Sequence, residues 1–433
     1  MPPTSDAGLV RAIGARQLTA SIVNTTIGAG IFVLPAVASA ELGAAAPIAY
    51  LVCAALMALI VCCFAAAGSR VSLTGGLYAY VDTAFGRFVG FLAGVLYFLM
   101  ATFAVASVSS AFAGSVGALW EPAANPAARA ILIATLFAAL ATVNVRGVRP
   151  GVRVVEVMAV AKLLPLLALV AGGVWMVNPA YLRWPGMPAA ASIGKTAIVL
   201  IFAFVGLEIA LVPSGEVRDP ARTVPRALFS ALAITTTLYL LIQMVAQGLL
   251  GDSMATFSTA PLAEAAGRAL GQGGRLLVLL GAVVSMFGYV SGDMLGSPRT
   301  LFAFARAGVL PPTIGRIHPR FRTPYIAIVI YACIVAAVSI SSSFRQLAVL
   351  ANVAALTLYL MCVTASFELQ RRDVRADGAI PFSVPGGPVV PILAATVILW
   401  LLSSATRREF GVEALVLAVA TLFYFIRRTG GQL

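Results

Sequence analysis

The chain has 433 residues, of which 61% are hydrophobic and only 10% charged, and a formal net charge of +13. A soluble domain carries about 25% charged residues, so this composition excludes a soluble globular fold and points to an all-α integral membrane protein. The basic residues are dispersed singly between apolar runs with no basic domain, which excludes a nucleic-acid partner as the reason for the charge.

A membrane-spanning helix needs about 20 mainly apolar residues. Twelve stretches meet that requirement: 17–40, 45–67, 88–118, 128–146, 154–176, 193–215, 226–250, 274–304, 324–341, 345–367, 388–404 and 411–427. The first follows a mostly polar segment, and no small-residue cleavage site ends a short hydrophobic core, so it reads as a retained span rather than a signal peptide. The longest joins, 68–87, 251–273 and 305–323, leave no room for a soluble domain.

Orientation follows from the basic residues in the joins, which accumulate on the cytoplasmic side. With the N-terminus inside, Lys162 falls in a span. Arg129, Arg183, Lys195, Arg268, Arg275, Arg345, Arg407 and Arg408 fall outside, and the other 20 of the 29 basic residues fall inside. Both termini are therefore expected in the cytoplasm, with the chain in the inner (plasma) membrane.

Span 1 contains "NTTIGAGIFVLPA" over 24–36, with Gly28 and Gly30 at mid-depth. Glycine weakens a helix interior. Span 6 carries a related weakness at "FAFVGLE", with Gly206. Glycine-interrupted segments in corresponding positions of two halves point to an inverted-repeat transporter. A break at mid-depth frees N–H and C=O groups, which must line a cavity or bind something. Freed N–H groups at a helix start suit a carboxylate, and freed carbonyls suit an ammonium. The pair of breaks is matched to a zwitterion such as an amino acid. The plainer account of these glycines is close helix packing.

Other residues carry less specific signals. Lys162 sits inside an apolar run, where a lysine is costly unless paired or neutral; snorkelling to the interface is the alternative. Glu208 lies two residues past Gly206, either as a functional acid or as a protonated hydrogen-bonding link between helices. Asp293 in span 8 faces two alternatives, contact with a cationic substrate group or internal pairing with Lys162 or Arg299. The cysteines, Cys53, Cys62, Cys63, Cys333 and Cys362, all fall in apolar runs with no metal-ligand or secreted-disulfide spacing. His318 is the only histidine, and no nucleophile–base constellation is present, so neither an enzyme nor a cofactor is expected.

"IGAGIFVLPA", "NVRGVRPG…KLLPLLALVAGG", "FAFVGLEIALVPSGEVRDPARTVPRAL" and "SPRTLFAFARAGVLPP" together resemble the signatures of the amino acid–polyamine–organocation (APC) superfamily, over most of 17–367. The resemblance implies a leucine-transporter-like fold with broken helices 1 and 6. Its five-plus-five inverted repeat would occupy 17–176 and 193–367. Two further helices would follow in 388–427, with cytoplasmic tails 1–16 and 428–433. It implies a secondary active amino-acid transporter, working by alternating access, proton-coupled or an exchanger. The implied substrate contacts are Ile27, Gly28, Ala29, Gly30, Phe202, Ala203, Val205, Gly206 and Asp293. Phe202 would be the extracellular gate. Lys162, Glu208 and Ser291 would couple protons to transport. Lys162 is expected in the place of a sodium ion, against carbonyls of 25–27 and a hydroxyl of Ser285 or Ser291. One departure is Ser214-Gly215-Glu216, where many members have two acids. The loop 69–87 resembles a short cytoplasmic helix. The alternatives are a cationic amino-acid or polyamine antiporter, for which Asp293 argues, and a transporter-like amino-acid sensor. Short tails weigh against the sensor.

Overall fold

The computed structural model describes residues 13–71, 76–147, 152–184, 186–208, 211, 217–306, 308–375, 380–384 and 386–429; for 152–161 and 428–429 it describes the backbone alone. Fifteen α-helices occur among them, and no strand beyond one isolated bridge, Ile13 to Val217. In chain order they are α1 (Ala15–Thr26), α2 (Gly30–Leu42), α3 (Ala46–Arg70), α4 (Leu77–Phe85), α5 (Arg87–Leu119), α6 (Pro126–Val145), α7 (Val152–Gly173), α8 (Ala190–Leu200), α9 (Pro220–Leu250), α10 (Pro261–Gly296), α11 (Pro298–Arg306), α12 (Tyr325–Ser341), α13 (Phe344–Arg371), α14 (Val389–Leu402) and α15 (Arg407–Thr429).

A helix lies under each of the twelve predicted stretches. Seven helical segments are long and apolar enough to cross a membrane, and four shorter apolar ones accompany them. The protein is an all-α, multi-pass membrane protein. Local sequence sets the helix ends. Asn125 caps α6 by accepting from the N–H of Ala128 at 2.8 Å, with Pro126 in the first turn. Ser343 and Gln346 form a capping box on α13. Gly43, Gly86 and Gly251 end or separate helices with positive φ.

Three boundaries differ from the sequence reading. The 251–273 join is largely helical: α10 begins at Pro261 and kinks at Gly271, where φ is +69°. Its end is also earlier, because Pro298 opens a separate α11. α9 begins six residues before the apolar run, at Pro220, whose fixed φ suits a first helical turn. The loop 69–87 does contain a helix, α4.

The core is formed by α1, α3, α5, α7, α9, α10 and α13, with α5 against α13, α7 against α10 and α9 against both α1 and α3. Tyr50, Phe64, Tyr239 and Tyr359 are fully buried within it. At the periphery, α15 presents Leu415, Leu422 and Phe425 outward, as a lipid-facing helix does.

Candidate functional site

α1 ends at Thr26 and α2 starts at Gly30. At 1.5 Å per residue the 12 residues of α1 extend about 18 Å and the 13 of α2 about 20 Å. Neither is long enough to cross a hydrocarbon core of about 30 Å alone. α8 stops at Leu200, a 3₁₀ turn covers Ile201–Ala203, and turns continue through Glu208.

A helix end leaves carbonyls without intrahelical donors, and here they find specific partners. The Ile27 N–H reaches Val23 O, and the Gly28 N–H reaches Thr26 O. The Lys162 ammonium donates to Asn24 O. At the end of α8, Cys53 Sγ faces Ala197 O at 3.4 Å, and Asn352 Nδ2 donates to Ile198 O at 2.7 Å and approaches Val199 O at 3.2 Å. The Tyr239 hydroxyl lies 2.8 Å from Ala203 O and 3.2 Å from Thr26 O, so it touches both interruptions.

The two interruptions also meet directly. Thr25 Oγ1 lies 3.0 Å from Gly206 O. Gly206 has φ +117°, and a Cβ there would lie 2.9 Å from Thr25 O. Only glycine satisfies both conditions. A Cβ on Gly30 would lie 3.0 Å from Ala203 Cα, whereas one on Gly28 would meet only the Tyr289 ring at 3.7 Å. Gly206 and Gly30 thus permit close approach of two chains, and Gly28 borders open space.

That space is a cavity lined by Thr25, Thr26, Gly28, Ala29, Gly30, Phe202 and Val205 from the interruptions, Ala104 and Val108 from α5, and Tyr289 from α10. A water centre has about 10 Å³ of it to move in, about the room for one water. The opening turn of α2 borders it on one side; the Phe32 N–H there donates to Ala29 O at 3.0 Å, and the Gly30 and Ile31 N–H groups precede the first intrahelical acceptor. The end of α1 borders it on another. Phe202 is braced edge-on by Phe344, with ring centroids 5.6 Å apart.

Of the residues singled out from sequence, Gly28, Ala29, Gly30, Phe202 and Val205 line the cavity, and Ile27, Ala203 and Gly206 flank it as backbone. Lys162 is buried behind the α1 end, one residue earlier than the expected 25–27 carbonyls, because α1 ends at Thr26. The Ser285 and Ser291 hydroxyls have no hydrogen-bond partner, so neither contacts Lys162. Glu208 is buried; its carboxylate accepts from the Gly206 N–H and from the Tyr359 hydroxyl at 2.7 Å. Asp293 is not among the lining residues. Its oxygens accept from Ser297 at 2.6 Å and Tyr331 at 2.5 Å, and no ion pair among the described residues includes it. Neither Lys162 nor Arg299 pairs with it. Ser214, Gly215 and Glu216 lie outside the described residues. Sequence reading took Thr25 and Thr26 only as carbonyls for Lys162 and missed them as lining residues, along with Ala104, Val108 and Tyr289. Small and aromatic residues on unbroken helices carry no local signal that distinguishes a cavity wall from a core.

The profile of the family described as amino acid permease matches residues 13–408. The serine/threonine exchanger SteT of Bacillus subtilis (strain 168) is 28% identical over 398 residues, 90% of this chain and 90% of that protein. The methylthioribose transporter of the same strain is 27% identical over 444 residues, covering 96% of this chain and 93% of that protein. Its branched-chain amino acid permease BcaP is 26% identical over 420 residues, covering 92% and 89%. The match over almost the whole chain places it by descent as well as by architecture: it belongs to the amino acid permease family, within the amino acid–polyamine–organocation superfamily.

Proposed function

We propose that this permease is a secondary active amino-acid transporter working by alternating access, sodium-independent, and either proton-coupled or an exchanger. In this reading twelve spans cross the inner membrane. Two inverted repeats occupy 17–176 and 193–367, a further pair of helices lies in 388–427, and tails 1–16 and 428–433 are cytoplasmic. The observation that carries the reading is that two interrupted helices abut on one cavity. The substrate carboxylate is held at the opening turn of α2, where N–H groups and the helix dipole favour an anion. The ammonium is held by carbonyls at the end of α1. Ala104, Val108 and Tyr289 contact the side chain, and Phe202 closes the cavity from the extracellular side. The room for about one water corresponds to a closed state that must open to admit substrate.

Lys162 acts in place of a sodium ion. Its ammonium ties α7 to the end of α1, and loss of its proton releases that tie. Ser291 on α10, whose hydroxyl has no partner, is the hydroxyl available to the coupling step when α10 moves. Glu208 holds the turn at Gly206 through the backbone N–H and changes its bonding when α8 and the following turn move. No charged side chain lines the cavity, which argues for neutral amino acids over the cationic or polyamine alternative.

Uptake of labelled amino acids into proteoliposomes tests the proposal. Uptake should persist when sodium is replaced by choline. It should respond to a pH gradient or to internal amino acid, and Lys162→Ala should lose transport or its pH response. Strict sodium dependence would overturn the roles of Lys162 and of the coupling ion. Accumulation of methylthioribose with no uptake of any amino acid would overturn the substrate class.

A further inference from the structure

Asp293 is an acid that the binding of a zwitterion does not use. It lies on α10 one turn beyond Tyr289, which lines the cavity, and one turn before Ser297. In the proposed orientation that is the cytoplasmic side of the cavity floor. We propose that Asp293, capped by Tyr331 and Ser297, is a proton-binding site beneath the substrate cavity, through which cytoplasmic protons reach the transport cycle; this rests on the transporter reading above.

The first support is the chemistry of the cap. Both carboxyl oxygens accept from hydroxyls, Ser297 on one and Tyr331 on the other. A hydroxyl donates or accepts as required. The ionised carboxylate accepts two bonds. The protonated carboxyl turns the Ser297 bond round, donating its own O–H to the Ser297 oxygen while Tyr331 still donates, and the Ser297 hydrogen turns to the Tyr331 oxygen beside it. Neither state then leaves a hydroxyl of the cap without an acceptor. An arginine or lysine partner would not serve, since protonation of the acid would strand the cation. At 2.5 and 2.6 Å the two bonds are in the range of charge-assisted O–H···O⁻ bonds, so the ionised state is well held too.

The second support is position. Asp293 lies between Tyr289, which lines the cavity, and the α10 end at Gly296, which is the cytoplasmic end in the proposed orientation, so it stands between the cavity and that side.

The third is what lies between the two acids. Tyr289 from α10 and Tyr97 from α5 are each within electrostatic range of both carboxylates. Tyr331 from α12 and Tyr359 from α13 close the outer ends, on Asp293 and Glu208 respectively. On α7, packed extensively against α10, the Lys162 ammonium points away to Asn24 O. Lys162 therefore does not neutralise Asp293, and the two acids have Tyr97 and Tyr289 as shared electrostatic neighbours. Through those tyrosines the site adjoins Glu208, which holds the turn at Gly206 between the helix interruptions.

Two measurements test the proposal. In purified protein titrated across neutral and acidic pH, infrared difference spectra should show a protonated-carboxyl C=O band that Asp293→Asn removes and that Tyr331→Phe displaces. This readout needs no transport, so it stands apart from the functional reading. In proteoliposomes, the ratio of uptake with an imposed pH gradient to uptake without one should fall to about one in Asp293→Asn, and Tyr331→Phe should move the pH midpoint of uptake. An infrared titration identical in wild type and Asp293→Asn overturns the proton site. A full gradient response in Asp293→Asn overturns its part in the cycle while leaving amino-acid transport standing. Absence of amino-acid uptake by the wild type overturns the transporter reading, and the infrared result then decides the proton site alone.

Discussion

Gly206 and Gly28 look alike in sequence and should fail in opposite ways. At Gly206, φ is +117°, a conformation that costs a residue with a side chain about 1–3 kcal/mol. An added Cβ lies 2.9 Å from Thr25 O and 3.1 Å from Thr25 C. Those are backbone atoms that cannot rotate aside, so overpacking adds about 1–3 kcal/mol. The total, about 2–6 kcal/mol, is a large part of the stability of a folded protein. At Gly28, φ is ordinary and the added Cβ meets one ring edge at 3.7 Å, so Gly28→Ala should fold normally. The methyl instead fills part of a cavity that holds about one water. The expected cost to substrate affinity is about 1–3 kcal/mol, or about 5- to 150-fold at 1.4 kcal/mol per decade. Thermal unfolding of detergent-solubilised protein, with and without substrate, separates the two. Gly206→Ala should lower the midpoint without substrate. Gly28→Ala should keep that midpoint and lose the rise that substrate produces. An unchanged midpoint in Gly206→Ala, or an undiminished substrate effect in Gly28→Ala, would refute the division of roles. Gly30 is a poorer probe, because its added Cβ meets Ala203 Cα at 3.0 Å and mixes packing with binding.

Phe202→Ala removes the ring that Phe344 braces; KM should rise several-fold and bound substrate should dissociate faster to the outside, with Phe344→Ala showing a weaker form of both in efflux assays. Tyr239→Phe removes the hydroxyl that touches Ala203 O and Thr26 O; leaving buried carbonyls short of a donor should cost about 1–3 kcal/mol, read as a lower unfolding midpoint. Just past the end of α13, Arg375 and then Arg70 hold the Asp373 carboxyl below the usual carboxylate range. A depressed folded-state value stabilises above the unfolded pKa and is lost as pH falls through the folded one. The difference in unfolding midpoint between wild type and Asp373→Asn should therefore be present at neutral pH and vanish in strong acid.

Sequence carried the helices well where an apolar run was the reason for them, and poorly where it was not. The segment from Pro261 to Gly271 is helical but short, and Glu264, Arg268 and two glycines interrupt its apolar residues, so a search for apolar length passes over it. The interruptions were legible because glycine at mid-depth has few purposes. The carbonyl that takes Lys162 was missed by one residue, since it depends on where α1 stops, and helix ends are the least certain feature of a sequence reading. The layer of tyrosines under the cavity was not legible at all. Tyr97, Tyr289, Tyr331 and Tyr359 come from four helices, and each reads in isolation as an aromatic core residue.

The contacts between the interrupted segments bear on how the molecule moves. Ile13 pairs with Val217 at one end. Thr25 bonds Gly206, Tyr239 touches Thr26 and Ala203, and Gly30 rests on Ala203 farther along. Apart from the Tyr239 hydroxyl, each is a contact of backbone or of a short side chain, with little slack. Sliding α1 and α2 past α8 would break all of them together. Moving them as one body, with α9 attached through Tyr239, breaks none. The surfaces opposite are different in kind: Ala104 and Val108 on α5 and Tyr289 on α10 meet the cavity with side chains. Among the described residues the one hydrogen bond from α7 to α1 is the flexible Lys162 side chain. Under alternating access, the weaker boundary lies between the interrupted helices and the α5–α7–α10 wall. Lys162 and the cavity both sit on that boundary. A change in the charge of Lys162 or in the occupancy of the cavity therefore acts where the least structure has to be broken to open it.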